Sequence, residues 1–160
     1  MAHRDRDGSG RPQSARPRDA LGRPLSRDSQ GVPQIPDDLD LAPDESLAYA
    51  QKLIDEGLAF YAHEVLEAAW KSGPAEEKPM WQGLAQLAVG ITHVQRGNID
   101  GAVALLRRAT EHLAESASPA PYSVDIAGLL GYADGLIHDL TAGAAMSAER
   151  LRPTLVTHTA

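Results

Sequence analysis

The sequence predicts an all-α protein: a compact five-helix domain of antiparallel helical hairpins, stacked in tetratricopeptide-like fashion, behind a disordered N-terminal tail. Three observations carry this. From Pro43 onward the apolar residues recur at helical spacing, and no stretch alternates with the period of two that a strand requires. Glycine and proline fall between the periodic stretches, where helices must stop. A faint internal repeat aligns Gly57 with Gly97, pairing Ala62 with Ala102, Val65 with Leu105, Leu66 with Leu106 and Ala69 with Ala109.

Taken in order, residues 1–36 mix Arg, Asp, Gly, Pro and Ser, with Leu21, Leu25, Val32 and Ile35 scattered without period. Such a segment cannot bury enough apolar surface to fold alone, and composition reads it as a flexible tail. A sharper reading has its arginines dock on the body or on an external anion. The first helix begins at Pro43 and carries Leu47, Ala50 and Ile54 up to Gly57, a C-cap. The second runs from about Ala59 to Lys71 and stops at Ser72-Gly73-Pro74. The third opens with Glu76 and Glu77, favourable to the helix dipole, and ends at Gly97. Asn98 is the expected N-cap of the fourth, whose Ala102, Leu106, Ala109 and Leu113 share one face until Ser118-Pro119-Ala120-Pro121 breaks it. The fifth, about Ser123 to Leu140, buries Ile126, Leu129, Leu130, Ala133, Leu136 and Ile137. The domain is thus placed at 37–141, with 142–160 a poorly ordered C-terminal tail.

Composition narrows the function. The formal charge of −7 divides unevenly: residues 1–36 hold seven Arg and four Asp, and the remainder eight basic and eighteen acidic residues. An acidic body argues against nucleic-acid binding by the folded domain, because phosphate contacts need Lys and Arg. Cysteine is absent, which excludes disulfides, thiolate catalysis and Cys-based zinc sites. No stretch is apolar enough for a secretory signal or a bilayer span, so the expectation is a soluble, cytoplasmic protein without membrane partners. No glycine-rich phosphate loop, nucleophile elbow or zinc-finger spacing is present.

What stands out is the segment Phe60-Tyr-Ala-His63-Glu64-Val-Leu-Glu67-Ala-Ala-Trp70. At about 100° per residue, Phe60, His63, Leu66, Glu67 and Trp70 span one continuous face, with Glu64 at its edge. The aligned positions of the second repeat hold Val103, Arg107 and Thr110 where the first has His63, Glu67 and Trp70, so the scaffold does not require them. On the third helix Gln82, Gln86 and His93 form a polar stripe beside Arg96, in a run from Pro79 to Gln95 without a charged residue. This stripe is expected to face the His63/Glu67 stripe. The candidate polar site is therefore His63, Glu64, Glu67, Trp70, Gln82, Gln86, His93, Arg96 and Asn98.

Three chemistries compete for it. Glu67, His63, Gln86 and His93 could satisfy one another in a buried network that fixes helix register. His63, Glu67 and His93 could instead bind a divalent metal, although His63-Glu64-x-x-Glu67 lacks the second histidine of the metalloprotease motif. Or His63 or Glu67 could act as general base in a hydrolase-like site, with Arg96 holding an anion and Trp70 excluding water. The leading expectation is a binding or scaffold module for an unidentified protein or small molecule, with a homodimer allowed. The alternative is a metal-dependent or general-base enzyme centred on His63, Glu67 and His93.

The same residues carry a family resemblance. Phe60 through Trp70, then Trp81-Gln82-Gly-Leu-Ala-Gln86-Leu-Ala, then His93-x-x-Arg96-Gly97-Asn98-x-x-Gly101-Ala102, resemble the domain of unknown function 309 family over roughly residues 43–140. The leader Ala15-Arg16-Pro17-Arg18-Asp19-Ala20-Leu21-Gly22-Arg23-Pro24-Leu25 is similar to that of actinobacterial members. The resemblance implies a compact all-helical domain. It implies no reaction or cofactor.

Overall fold

In a computed structural model, residues 17–26, 31–32, 35–36 and 38–157 are described. They form five α-helices: α1 (Pro43–Asp55), α2 (Ala59–Ser72), α3 (Lys78–Gln95), α4 (Ile99–Ala114) and α5 (Ile126–Thr141). Three single 3-10 turns accompany them at Ala75–Glu77, Pro121–Ser123 and Glu149–Leu151. No strand occurs among the described residues, and none of their helices is long and apolar enough to cross a membrane.

Each helix packs on the next in chain order, α3 on α4 most extensively, which is the stacked-hairpin arrangement. The repeat is visible in how α1 and α3 end. Gly57 (φ +79°) and Gly97 (φ +76°) take the left-handed conformation. Gly57 N–H donates to the Ile54 carbonyl and Leu58 N–H to that of Leu53; Gly97 and Asn98 repeat this with Val94 and His93. Both are Schellman closures, which need a residue without a Cβ penalty at the glycine position. Asn98 then turns from terminator to initiator: its Oδ1 accepts from Gly101 N–H at 3.1 Å, capping α4 as expected.

The core is aliphatic and small. Ala50, Ala62, Val65, Leu66, Ala102, Leu106, Ala109, Leu113, Ala133 and Leu136 are fully buried. Two glycines let α3 lie close to α4: a Cβ on Gly83 or Gly90 would come within 2.8 Å of Leu113 or 2.9 Å of Leu106. Trp81, the largest buried side chain, takes its place in this core.

Several boundaries differ from the sequence reading. Glu76 and Glu77 belong to a separate 3-10 turn before α3. The fifth helix starts later than Ser123, because Tyr122 (φ 61°) and Ser123 (φ 59°) are left-handed and Asp125 caps it through Gly128 N–H at 3.0 Å.

Both terminal segments are more structured than composition suggests. Of the 1–36 tail, residues 1–16 lie outside the described residues, but 17–26 turn back upon themselves and lie on the body. At the other end Leu151, Pro153 and Leu155 are buried, and Val156 bridges Val124. The described part of that segment, to Thr157, is held by Gln51, which donates to the Pro153 carbonyl (2.9 Å) and accepts from Leu155 N–H (2.8 Å). Local periodicity could not reveal either segment, because the partner residues lie far away in sequence.

Candidate functional site

The polar face of α2 is built by helical spacing alone. His63 and Glu67, one turn apart, meet with Nε2 2.8 Å from Oε2; Lys71, a further turn on, places its ammonium 3.2 Å from Oε1. Glu67 is an acceptor, so it selects the His63 tautomer with the proton on Nε2. The other ring nitrogen, Nδ1, is buried without a hydrogen-bond partner. Burial holds the imidazole below its ordinary pKa of 6.5 against the opposing attraction of Glu67, and Lys71 adds to the lowering. The result is a neutral, carboxylate-oriented imidazole at neutral pH.

This face does not look at α3. It forms one wall of a cavity of about 270 Å³ lined by His63, Glu64, Glu67, Ala68 and Lys71, with Ile35 and Pro36 of the leader completing it. The Gln/Gln/His stripe is elsewhere. Gln86 Oε1 lies 2.7 Å from Nδ1 of His112 on α4. His93 Nδ1 lies 3.1 Å from Asn98 Nδ2 in the α3–α4 turn. The expected network of His63, Glu67, Gln86 and His93 is thus corrected to three separate pairs. The reason is packing: α3 lies between α2 and α4, and the side of it bearing Gln86 turns to α4. His112, not among the candidate site residues, is the partner that sequence reasoning missed. Only a heptad-like comparison of α3 with α4 could have pointed to it.

The remaining candidates also disperse. Trp70 is half-buried, with Lys78 over its ring at 5.7 Å and its indole N–H buried without an acceptor. Gln82 is half-buried on α3. Among the described residues no group of three His, Asp or Glu side chains is gathered as a metal site would need, so His63 and Glu67 are not joined by His93.

Arg96 has a different task. Its Nε and Nη2 both donate to the Leu21 carbonyl, at 2.9 and 2.7 Å, fixing the leader to the end of α3. Tyr61 O–H donates to the Asp19 carbonyl at 2.7 Å. Phe60 lies beneath Gly22, with Arg18 and Arg96 over its ring at 5.2 and 5.7 Å. Phe60, Tyr61 and Arg96 therefore form a second site, contiguous along α2 with the first, and its occupant is the leader.

Residues 47–105 match the family described as Domain of unknown function (DUF309). This stretch is similar to that family over 59 of the chain's 160 residues. Nothing matches the chain among the curated proteins or the solved structures. The DUF309 span runs from α1 into α4 and contains Phe60, Tyr61, His63, Glu64, Glu67 and Arg96. Both the leader and His112 fall outside it. Each of the two α2 sites is thus assembled from a DUF309 wall and a leader that is not part of the matched domain.

Proposed function

We propose that the DUF309-like domain is a binding module whose ligand site is the cavity between α2 and the leader. The observation supporting it is that His63, Glu64 and Glu67, singled out by their chemistry alone, line one concave space together. Its volume suits a small polar molecule. The His63–Glu67 pair gives the cavity an oriented polar wall, and Lys71 and Glu67 offer charges of either sign at the rim.

The test is NMR of the full chain with ¹⁵N-labelled histidine, titrated in turn with small carboxylic acids, primary amines, inorganic phosphate and zinc. A saturable shift of the His63 resonances, lost in Glu67→Ala, is expected from one of these classes. Unmoved His63 signals with all four sink the reading.

A second reading, general-base catalysis, draws on the lowered pKa of a carboxylate-oriented imidazole and requires Nδ1, buried here, to become open to substrate. Under it, Glu67→Gln would abolish turnover of any substrate found for the cavity while leaving its binding intact.

A further inference from the structure

We propose that the surface formed by Phe60, Tyr61 and Arg96 is a peptide-docking site that accepts the leader turn of a second copy of this chain as well as its own. It is independent of the cavity reading, because it rests on how the leader is gripped.

The grip is on main chain. Tyr61 captures the Asp19 carbonyl and Arg96 clasps the Leu21 carbonyl with two donors. Neither contact depends on which chain supplies the carbonyl. Selectivity comes from shape and charge. A Cβ on Gly22 would overlap the Phe60 ring, and Gly22 is left-handed at φ +79°, so only a glycine-centred turn fits. Arg18 over the same ring adds a cation–π contact. The leader's excess of arginine suits a body with eighteen acidic and eight basic residues.

The turn is also prebuilt, which lowers the ordering cost of docking. Asp19 Oδ1 accepts from Leu21 and Arg23 N–H at 3.0 and 2.8 Å, and its Oδ2 pairs with Arg23 Nε at 2.8 Å. Arg18 Nη1 donates to the Gly22 carbonyl, Asp19 N–H to Arg23 and Leu25 N–H to Pro17. Val32 N–H joins by donating to the Arg18 carbonyl at 2.9 Å. From there residues 33–42 connect to α1, and ten residues can span about 30 Å, enough to reach an adjacent molecule once Ile35 and Pro36 leave the cavity wall. In a single chain the leader competes from an effective concentration in the millimolar range, so the exchanged form emerges when docking within one chain is blocked.

The test uses two full-length variants. Gly22→Val removes a leader able to dock and leaves the surface intact; Arg96→Glu ruins the surface and leaves the leader intact. Each alone is expected to sediment as a monomer, and an equimolar mixture to form a heterodimer. A synthetic peptide of residues 16–26 should bind Gly22→Val at least about tenfold more tightly than the wild type, whose own leader occupies the site, and should dissolve the heterodimer. If Gly22→Val fails to fold, Asp19→Ala, which undoes the turn without adding bulk, takes its place. A mixture that stays monomeric overturns the second-copy occupant even where the peptide binds. Failure of the peptide to bind overturns the docking site itself.

Discussion

His63 Nε2 and Glu67 Oε2 stand 2.8 Å apart on α2, in a cavity wall that Ile35 and Pro36 of the leader complete. Burial of His63 gives folding stability a pH dependence whose sign follows from the lowered pKa. The folded pKa of His63 lies below the ordinary 6.5, so below that pH the unfolded chain binds more protons than the folded one. The contribution is fully present above pH 6.5 and is lost as pH falls through the folded value. Urea denaturation of wild type and His63→Gln at pH 7.5 and 5.5 checks this. The midpoint should fall further in the wild type than in the variant, and equal falls would contradict it.

Glu67 serves two donors, so its replacements separate hydrogen bonding from charge. Glu67→Ala strands His63 Nε2 and frees Lys71. The side chain is about a third exposed, so the expected loss is on the order of 1 kcal/mol, mostly the buried donor and little of the surface ion pair. Glu67→Gln retains an acceptor for His63 and should stay within about 0.5 kcal/mol of wild type, or exceed it where the carboxylate is kept for function. Thermal or urea unfolding of both variants provides the comparison; equal losses would mean that charge, not hydrogen bonding, holds the pair.

At Gly90 helix propensity and packing pull in opposite directions, and the geometry decides between them. Alanine in a helix interior gains up to about 1 kcal/mol over glycine. Here its Cβ would sit 2.9 Å from Leu106 Cγ and Cδ2, side-chain atoms of a fully buried residue in the most extensively packed helix pair of the fold. Overpacking costs about 1–3 kcal/mol, so Gly90→Ala should destabilise by about 1 kcal/mol net. Gly131, whose Cβ would meet nothing within 4 Å, is the control: Gly131→Ala should stabilise. If both substitutions stabilise, α3 and α4 are less closely apposed than described.

The difference between the helices and the site shows which information is local. Gly57, Gly97 and Asn98 announce the Schellman turns and the cap because those motifs are completed within a few residues. His63 and Glu67 were legible as a pair for the same reason: helix geometry brings i and i+4 together wherever the helix sits. Which surface they face was not legible, since α3 offered Gln86 and His93 while the actual cover, Ile35 and Pro36, lies in a segment of tail-like composition. Gly22 carried no signal of its own in the leader, and its contact is with Phe60. Arg96 looked like an anion holder until the Leu21 carbonyl took its donors. In each case the missing information is a partner distant in sequence, which neither periodicity nor composition encodes.

Gln51 offers a long-range contact that can be removed with one atom group. Its amide substitutes for a strand neighbour, donating to the Pro153 carbonyl and accepting from Leu155 N–H, while Leu155 packs at 1% exposure. Gln51→Leu would leave that buried N–H unpartnered, at a cost of about 1–3 kcal/mol if the C-terminal segment stays in place. The segment has a cheaper exit, because its other main-chain ties are few: Asp125 N–H to Leu155 O, and Thr157 N–H to Ser123 O. Release is therefore expected, with amide hydrogen exchange accelerating at Asp125, Leu155 and Thr157 while the Schellman amides Leu58 and Asn98 keep their protection. Gln51→Glu separates the two halves of the contact, since it keeps the acceptor for Leu155 but turns an oxygen toward the Pro153 carbonyl and toward Asp55. It should loosen the same three amides, and neutralising the new carboxyl by lowering the pH should restore them. Exchange that quickens equally at Leu58 would show that the segment is part of one cooperative unit with the hairpins rather than a separately held strap.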